Sequence, residues 1–159
     1  LGVDQDSILV REVTRRTGCP VVTSTLSIIE ALRALKIKRI GLVTPYVKSI
    51  QERIIENFSL EKFECVSERH FNLTDNFSFG EVSEDRIACA AEEVAADGAE
   101  AVIILCTNLA GAGVAARVEG KTGIPILDSV VLTVWGALRS VGINTSSLEN
   151  WAPAVSKIL

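Results

Sequence analysis

The sequence predicts an α/β fold built on a mostly parallel sheet. Strand-like apolar runs alternate with helical patterns along most of the chain. One run, Ala101-Val102-Ile103-Ile104-Leu105, has the unbroken apolar character of a central strand covered on both faces. There is also an internal echo. The stretch Thr17-Gly18-Cys19-Pro20-Val21-Val22-Thr23-Ser24 and its following Ala31-Leu32-Arg33 parallel Thr122-Gly123-Ile124-Pro125-Ile126-Leu127-Asp128-Ser129 and Ala137-Leu138-Arg139. Repetition of a helix end, a strand and a helix implies two duplicated α/β lobes, the first incomplete here.

Residues 6–16 place Ile8, Leu9 and Val13 at helical spacing and end at the turn pair Thr17-Gly18. Residues 20–23 read as a short buried strand. Ser24 or Thr25 then caps a helix with Ile28, Ile29, Leu32 and Leu35 as its buried stripe. The basic stretch Lys36-Ile37-Lys38-Arg39 falls at its end, where cations suit the helix dipole. Residues 39–44 form the next strand, with Pro45-Tyr46 at its carboxyl end, and a helix over 47–58 carries Ile50, Ile54, Ile55 and Phe58 on one face. A strand over 63–69 leads into a loop, 70–80, and a helix over 83–96 that buries Cys89 and stops at Asp97-Gly98. After the Val102 strand come a helix over 113–122, a strand over 124–127 and a final helix over 130–141; Trp135 and Trp151 are expected to pack.

The hydrophobic content, 48%, excludes a disordered chain, and no apolar run is long enough to cross a bilayer. A net charge of −4 with dispersed basic residues leaves no footprint for nucleic acid. A small-molecule site is therefore expected, with neither a nucleic-acid nor a membrane partner. Cys19, Cys65, Cys89 and Cys106 are scattered without metal-ligand spacing, which points to a reducing, cytoplasmic setting and to no metal or cofactor. The chain has no methionine and opens Leu1-Gly2-Val3-Asp4, which reads as the interior of a longer protein.

The carboxyl ends of the strands in an open α/β sheet are where ligands bind. Three polar clusters fall at predicted strand ends or in the loops that follow: Thr44-Pro45-Tyr46, Thr74-Asp75-Asn76 and Cys106-Thr107-Asn108. Hydroxyls and amides can hold a carboxylate, and a thiol beside them can move a proton or attack carbon. Each cluster alone also fits helix capping, and Cys106 alone also fits a buried small hydrophobe. His70 could act as a base near neutral pH, although a lone loop histidine is more often solvated. Asp128-Ser129 is either a ligand contact or an N-cap. Gly111 and Gly113 lack the Gly-Lys-Ser/Thr of a phosphate loop.

Taken together and in this order, Arg39-Ile40-Gly41-Leu42-Val43-Thr44-Pro45-Tyr46, Leu73-Thr74-Asp75-Asn76, Cys106-Thr107-Asn108-Leu109 and Gly123-Ile124-Pro125-Ile126-Leu127 with Trp135-Gly136-Ala137-Leu138 resemble the aspartate/glutamate racemase superfamily, in its branch of maleate cis-trans isomerases and arylmalonate decarboxylases. The resemblance implies two Rossmann-like lobes, related by a pseudo-twofold, facing each other across a site to which each usually offers one cysteine. It implies a cofactor-independent isomerase or racemase acting on a small carboxylic or dicarboxylic acid, with arylmalonate-type decarboxylation by a single cysteine as the alternative. Cys106 then matches the second-lobe catalytic cysteine. Tyr46 and Asn76 match substrate-binding residues, with Thr44, Thr107 and Asn108 completing the carboxylate cradle. The first-lobe cysteine falls upstream of Gly2 to Asp6, so the resemblance implies that this chain alone lacks the two-cysteine reactions. Cys19 lies at the wrong end of its expected strand to replace it.

The resulting division is residues 1–36 as the C-terminal part of a first lobe, 37–129 as a second lobe, and 130–159 as a C-terminal helix returning to the first. Apolar surface left exposed by an incomplete lobe points to a homo-oligomer. A non-catalytic module that binds small anions is the reading from a different class, and the presence or absence of the upstream cysteine discriminates the two.

Overall fold

A computed structural model describes residues 2–158. Four parallel strands, β1 (Arg39–Thr44), β2 (Glu64–His70), β3 (Ala101–Ile104) and β4 (Ile126–Asp128), form one sheet in the order β2-β1-β3-β4. The inner strands β1 and β3 are buried almost throughout, as their apolar runs require: successive side chains point to opposite faces, and helices cover both.

Val43, Val102, Ile104 and Ile126 form the face under α5 (Glu84–Ala96) and α6 (Ala112–Thr122). Ile40, Leu42, Ile103 and Leu127 form the other, under α2 (Ser24–Ala34), α3 (Lys48–Leu60) and α7 (Ser129–Ser140). Gly41 has no side chain because α5 leaves no room for one: a β-carbon there would overlap a methyl of Val94. Trp135 on α7 is fully buried, and its indole N–H donates to the carbonyl of Val155 at 3.0 Å, fastening the last short helix, α8 (Pro153–Ser156), to the core.

Several expectations need correction. The stretch 20–23 is not a strand: among the described residues it pairs with none of the four strands, and it simply connects α1 (Val3–Thr17) to α2. Thr23, rather than Ser24 or Thr25, caps α2 by accepting from the Leu26 N–H at 3.2 Å. Helix α2 stops at Ala34, and Lys36 takes a left-handed φ of 59°, so the basic stretch follows the last turn instead of filling it. Cys89 is exposed, because the buried stripe of α5 runs through Ile87, Ala88, Ala90, Ala91 and Val94 and leaves Cys89 beside Glu93. Ile50 is exposed and Trp151 is half exposed. The expected loop 70–80 contains a short helix, α4 (Asn76–Gly80), capped by Asp75.

One irregularity shapes the edge strand. The β1–β2 register slips between Ile40 and Gly41, pairing Ile40 with Cys65 but Gly41 with Ser67. The extra residue reverses the side-chain alternation. Ser67 and Arg69 therefore reach α5, through Asp97 and Glu93, while Glu68 reaches Gln51 on α3.

Candidate active site

The carboxyl ends of β1, β3 and β4 open onto a cleft of about 510 Å³. Its far wall is α3, through Ile50, Arg53, Ile54 and Asn57; its near wall is the start of α1 and α2, through Val3, Asp6, Ser24 and Thr25. Tyr46, Leu105, Cys106, Thr107 and Ser129 form the strand-end floor.

Cys106 stands two residues beyond β3 and is 7% exposed. The chain then turns, and the backbone N–H of Asn108 donates to the sulfur at 3.4 Å. The Tyr46 phenol lines the same floor beside Cys106. Burial first, then interaction with the Cys106 sulfur, raise the phenol well above its ordinary value, so it stays protonated at neutral pH. Its ring is held edge-on against Phe79 of α4, with centroids 5.4 Å apart. A backbone N–H and a phenol thus flank one thiol at the floor of a cleft.

Of the residues singled out from sequence, the cleft brings together Cys106, Tyr46, Thr107 and Ser129. Asn76 and Asn108 sit outside it, on an exposed rim, where the Asn108 side-chain amide donates to the Asn76 carbonyl at 3.3 Å. Thr44 is wholly buried and does not line the cleft; its hydroxyl donates to Gln51 at 2.7 Å. His70 is half-buried against Glu68 at 2.8 Å, on the far side of that network.

Asp128 is a helix cap: its Oδ1 accepts from the Val130 and Val131 N–H groups at 2.9 and 3.0 Å. Gly111 serves close packing, since a β-carbon there would stand 2.5 Å from Asp128 Oδ2. Sequence reasoning did not assign Ser24 to the site. A signal for it existed in the internal echo, where Ser24 and Ser129 occupy matching positions and both face the cleft. Among the described residues no group of three or more His, Cys, Asp or Glu side chains is arranged to hold a metal ion, and no helix is long and apolar enough to cross a membrane.

A family model described as arylmalonate decarboxylase matches residues 1–151. The chain belongs to that family. It is 26% identical over 125 residues to a maleate isomerase of Pseudomonas putida, covering 78% of this chain and 50% of that protein. It is 24% identical over 143 residues to the arylmalonate decarboxylase of Bordetella bronchiseptica, covering 89% of this chain and 60% of that one. The chain therefore spans about half the length of the maleate isomerases it matches. A solved maleate cis-trans isomerase of Nocardia farcinica superposes with a TM-score of 0.87 at 21% identity, over 97% of this chain and 63% of that one. That likeness is one of fold, and it shows the parallel sheet with flanking helices to be the family's own.

Proposed function

We propose that this chain carries the second-lobe cysteine of a two-lobed, cofactor-independent enzyme acting on a small carboxylic or dicarboxylic acid, as an isomerase or racemase. The observation that carries the reading is Cys106 at the floor of the cleft, with the Asn108 N–H donating to its sulfur and the Tyr46 phenol on the same floor. In an isomerisation the thiolate offered by the other lobe forms a C–S bond to one alkene carbon, and the π pair takes up at the neighbouring carbon the proton that Cys106 delivers. The new single bond rotates, Cys106 takes that proton back, and the electron pair left on carbon re-forms the alkene and expels the thiolate. A related solved structure, a Nocardia farcinica maleate cis-trans isomerase mutant, holds a covalently bound succinylcysteine intermediate.

In this reading Tyr46 and Thr107 hold the substrate carboxylate, and Asn76 and Asn108 reach it from the rim. Thr44 sets the end of β1 from beneath. A second reading, decarboxylation with Cys106 delivering its proton to the carbon that loses carbon dioxide, is favoured by one observation: among the described residues Cys106 is the cysteine that lines the cleft. Four free cysteines suit a cytoplasmic setting, and half-exposed Ile8 and Leu9 on α1 support self-association, checked by light scattering.

On protein expressed from the complete gene, timed alkylation with peptide mapping, with and without maleate or an arylmalonate, tests the site, and proton NMR of the same mixtures follows turnover. Protection of Cys106 by maleate is expected for the isomerase reading, and protection by the arylmalonate alone for the decarboxylase. An unprotected Cys106 with no turnover overturns both and leaves a binding module.

A further inference from the structure

Beneath the site runs a chain of polar side chains that the chemistry above does not use. The Thr44 hydroxyl donates to Gln51 Oε1 at 2.7 Å, Gln51 Nε2 donates to Glu68 Oε2 at 3.0 Å, and His70 Nδ1 lies 2.8 Å from that same oxygen. Gln51 is 1% exposed. A buried primary amide is costly unless both ends are satisfied, and here each end has a partner on a different strand. The register slip in β2 makes this geometry by turning Glu68 toward α3.

The two strand ends joined in this way carry the site. From β1 the chain passes directly through Pro45 to Tyr46, and from β2 through residues 71–73 toward α4. These segments are laced together: the N–H groups of Phe71, Asn72 and Leu73 donate to the carbonyls of Thr44, Tyr46 and Pro45 at 3.0, 3.2 and 2.8 Å. Tyr46 therefore hangs from a frame with a backbone lace on one side and the Gln51 amide on the other. Helix α3, which carries Gln51, is also the far wall of the cleft.

We infer that Gln51 is a positioning residue for the Tyr46 hydroxyl, fixing its reach to Cys106 by holding the ends of β1 and β2 in register. This rests on the reading of Cys106 and Tyr46 as the site. It adds that the donor set on the sulfur is tuned from the side of α3 opposite the ligand. The amide also orients the Thr44 hydroxyl away from the cleft, which is why that residue acts from below.

Tyr46 is the only tyrosine in the chain, so its ionisation can be read by absorbance near 295 nm without labels or substrate. In Gln51→Met, which removes both hydrogen bonds and keeps an unbranched side chain, the Tyr46 transition is expected to move down by the part of its rise that Cys106 contributes, while the part due to burial stays. Alkylation of Cys106 at pH 7, followed by peptide mapping, is expected to slow about five- to tenfold, the net worth of one ordinary hydrogen bond. The same substitution made on a Tyr46→Phe background is expected to leave the alkylation rate and its pH profile unchanged, because Gln51 acts through that hydroxyl.

Equal effects of Gln51→Met in both backgrounds would overturn the inference, as would an unmoved Tyr46 transition in a variant that still melts cooperatively. If Gln51→Met does not fold, Thr44→Val keeps the side-chain shape, removes only the donor and is read by the same two measurements. Neither measurement uses a substrate. The inference can therefore fail while maleate still protects Cys106, or stand while it does not.

Discussion

Replacing Asp128 with asparagine should stabilise this protein at neutral pH. Asp128 is fully buried, one carboxylate oxygen caps α7, and the other, Oδ2, is buried without a hydrogen-bond partner. Burial, only partly offset by the Val131 and Val130 N–H groups, raises the carboxyl from 3.8 to about 6. Because the folded-state value lies above the unfolded one, the folded protein binds more protons between the two. This group's contribution is most favourable below pH 3.8 and is lost as pH rises through about 6. The full difference corresponds to about 3 kcal/mol at pH 8.

Asp128→Asn keeps the capping oxygen and removes the buried charge. The amide brings one more N–H than the protonated acid, and an unpaired buried donor costs about 1–3 kcal/mol. The expected net gain at pH 8 is therefore up to about 2 kcal/mol, a rise in Tm of at most a few degrees at about 2–4 °C per kcal/mol. Urea unfolding of both proteins from pH 4 to 8 checks this. The variant should be the weaker protein near pH 4, by the cost of the extra N–H, and should gain on the wild type as pH rises toward about 6. Parallel curves, or a variant weaker at pH 8 by as much as at pH 4, would refute the buried-charge argument.

Gly41→Ala should cost about 1–3 kcal/mol in urea unfolding, because the added methyl must displace Val94 of α5 from the centre of the sheet. Trp135→Phe removes the indole donor to Val155 and weakens the contact with Arg139, whose guanidinium lies 4.8 Å over the ring. A loss of about 2–4 kcal/mol is expected, with earlier proteolysis near α8 than elsewhere. Cys65 is pushed up to about 11, by burial first and then by Glu68, so it should resist alkylation at pH 8 while exposed Cys19 is labelled quickly; peptide mapping gives the order.

The α/β class and the positions of all four strands that pair were legible in the linear chain, because a fully covered parallel strand needs an unbroken apolar run and a crossover helix needs a stripe. Cys106 was legible for the same reason: a polar trio directly after such a run must emerge at a strand's carboxyl end. Local pattern misjudged Cys89, Ile50 and the stretch 20–23. A helical stripe can rotate by one residue at little cost to its periodicity, and a strand exists only where a second chain segment accepts its hydrogen bonds.

Family membership likewise followed from local strings such as Thr-Pro-Tyr and Cys-Thr-Asn, since those residues must stand at fixed strand ends. Only the tertiary structure decided which of them share a cleft. Thr44 precedes Tyr46 by two residues yet points below the sheet end into Gln51, while Ser24 and Ser129, more than a hundred residues apart in the chain, face the same space. The partnership of Gln51 with Glu68 depends on a single register slip in an edge strand. Side-chain type and period are local properties of a chain, but which polar groups meet is set by strand register and helix packing, and those exist only once distant segments have come together.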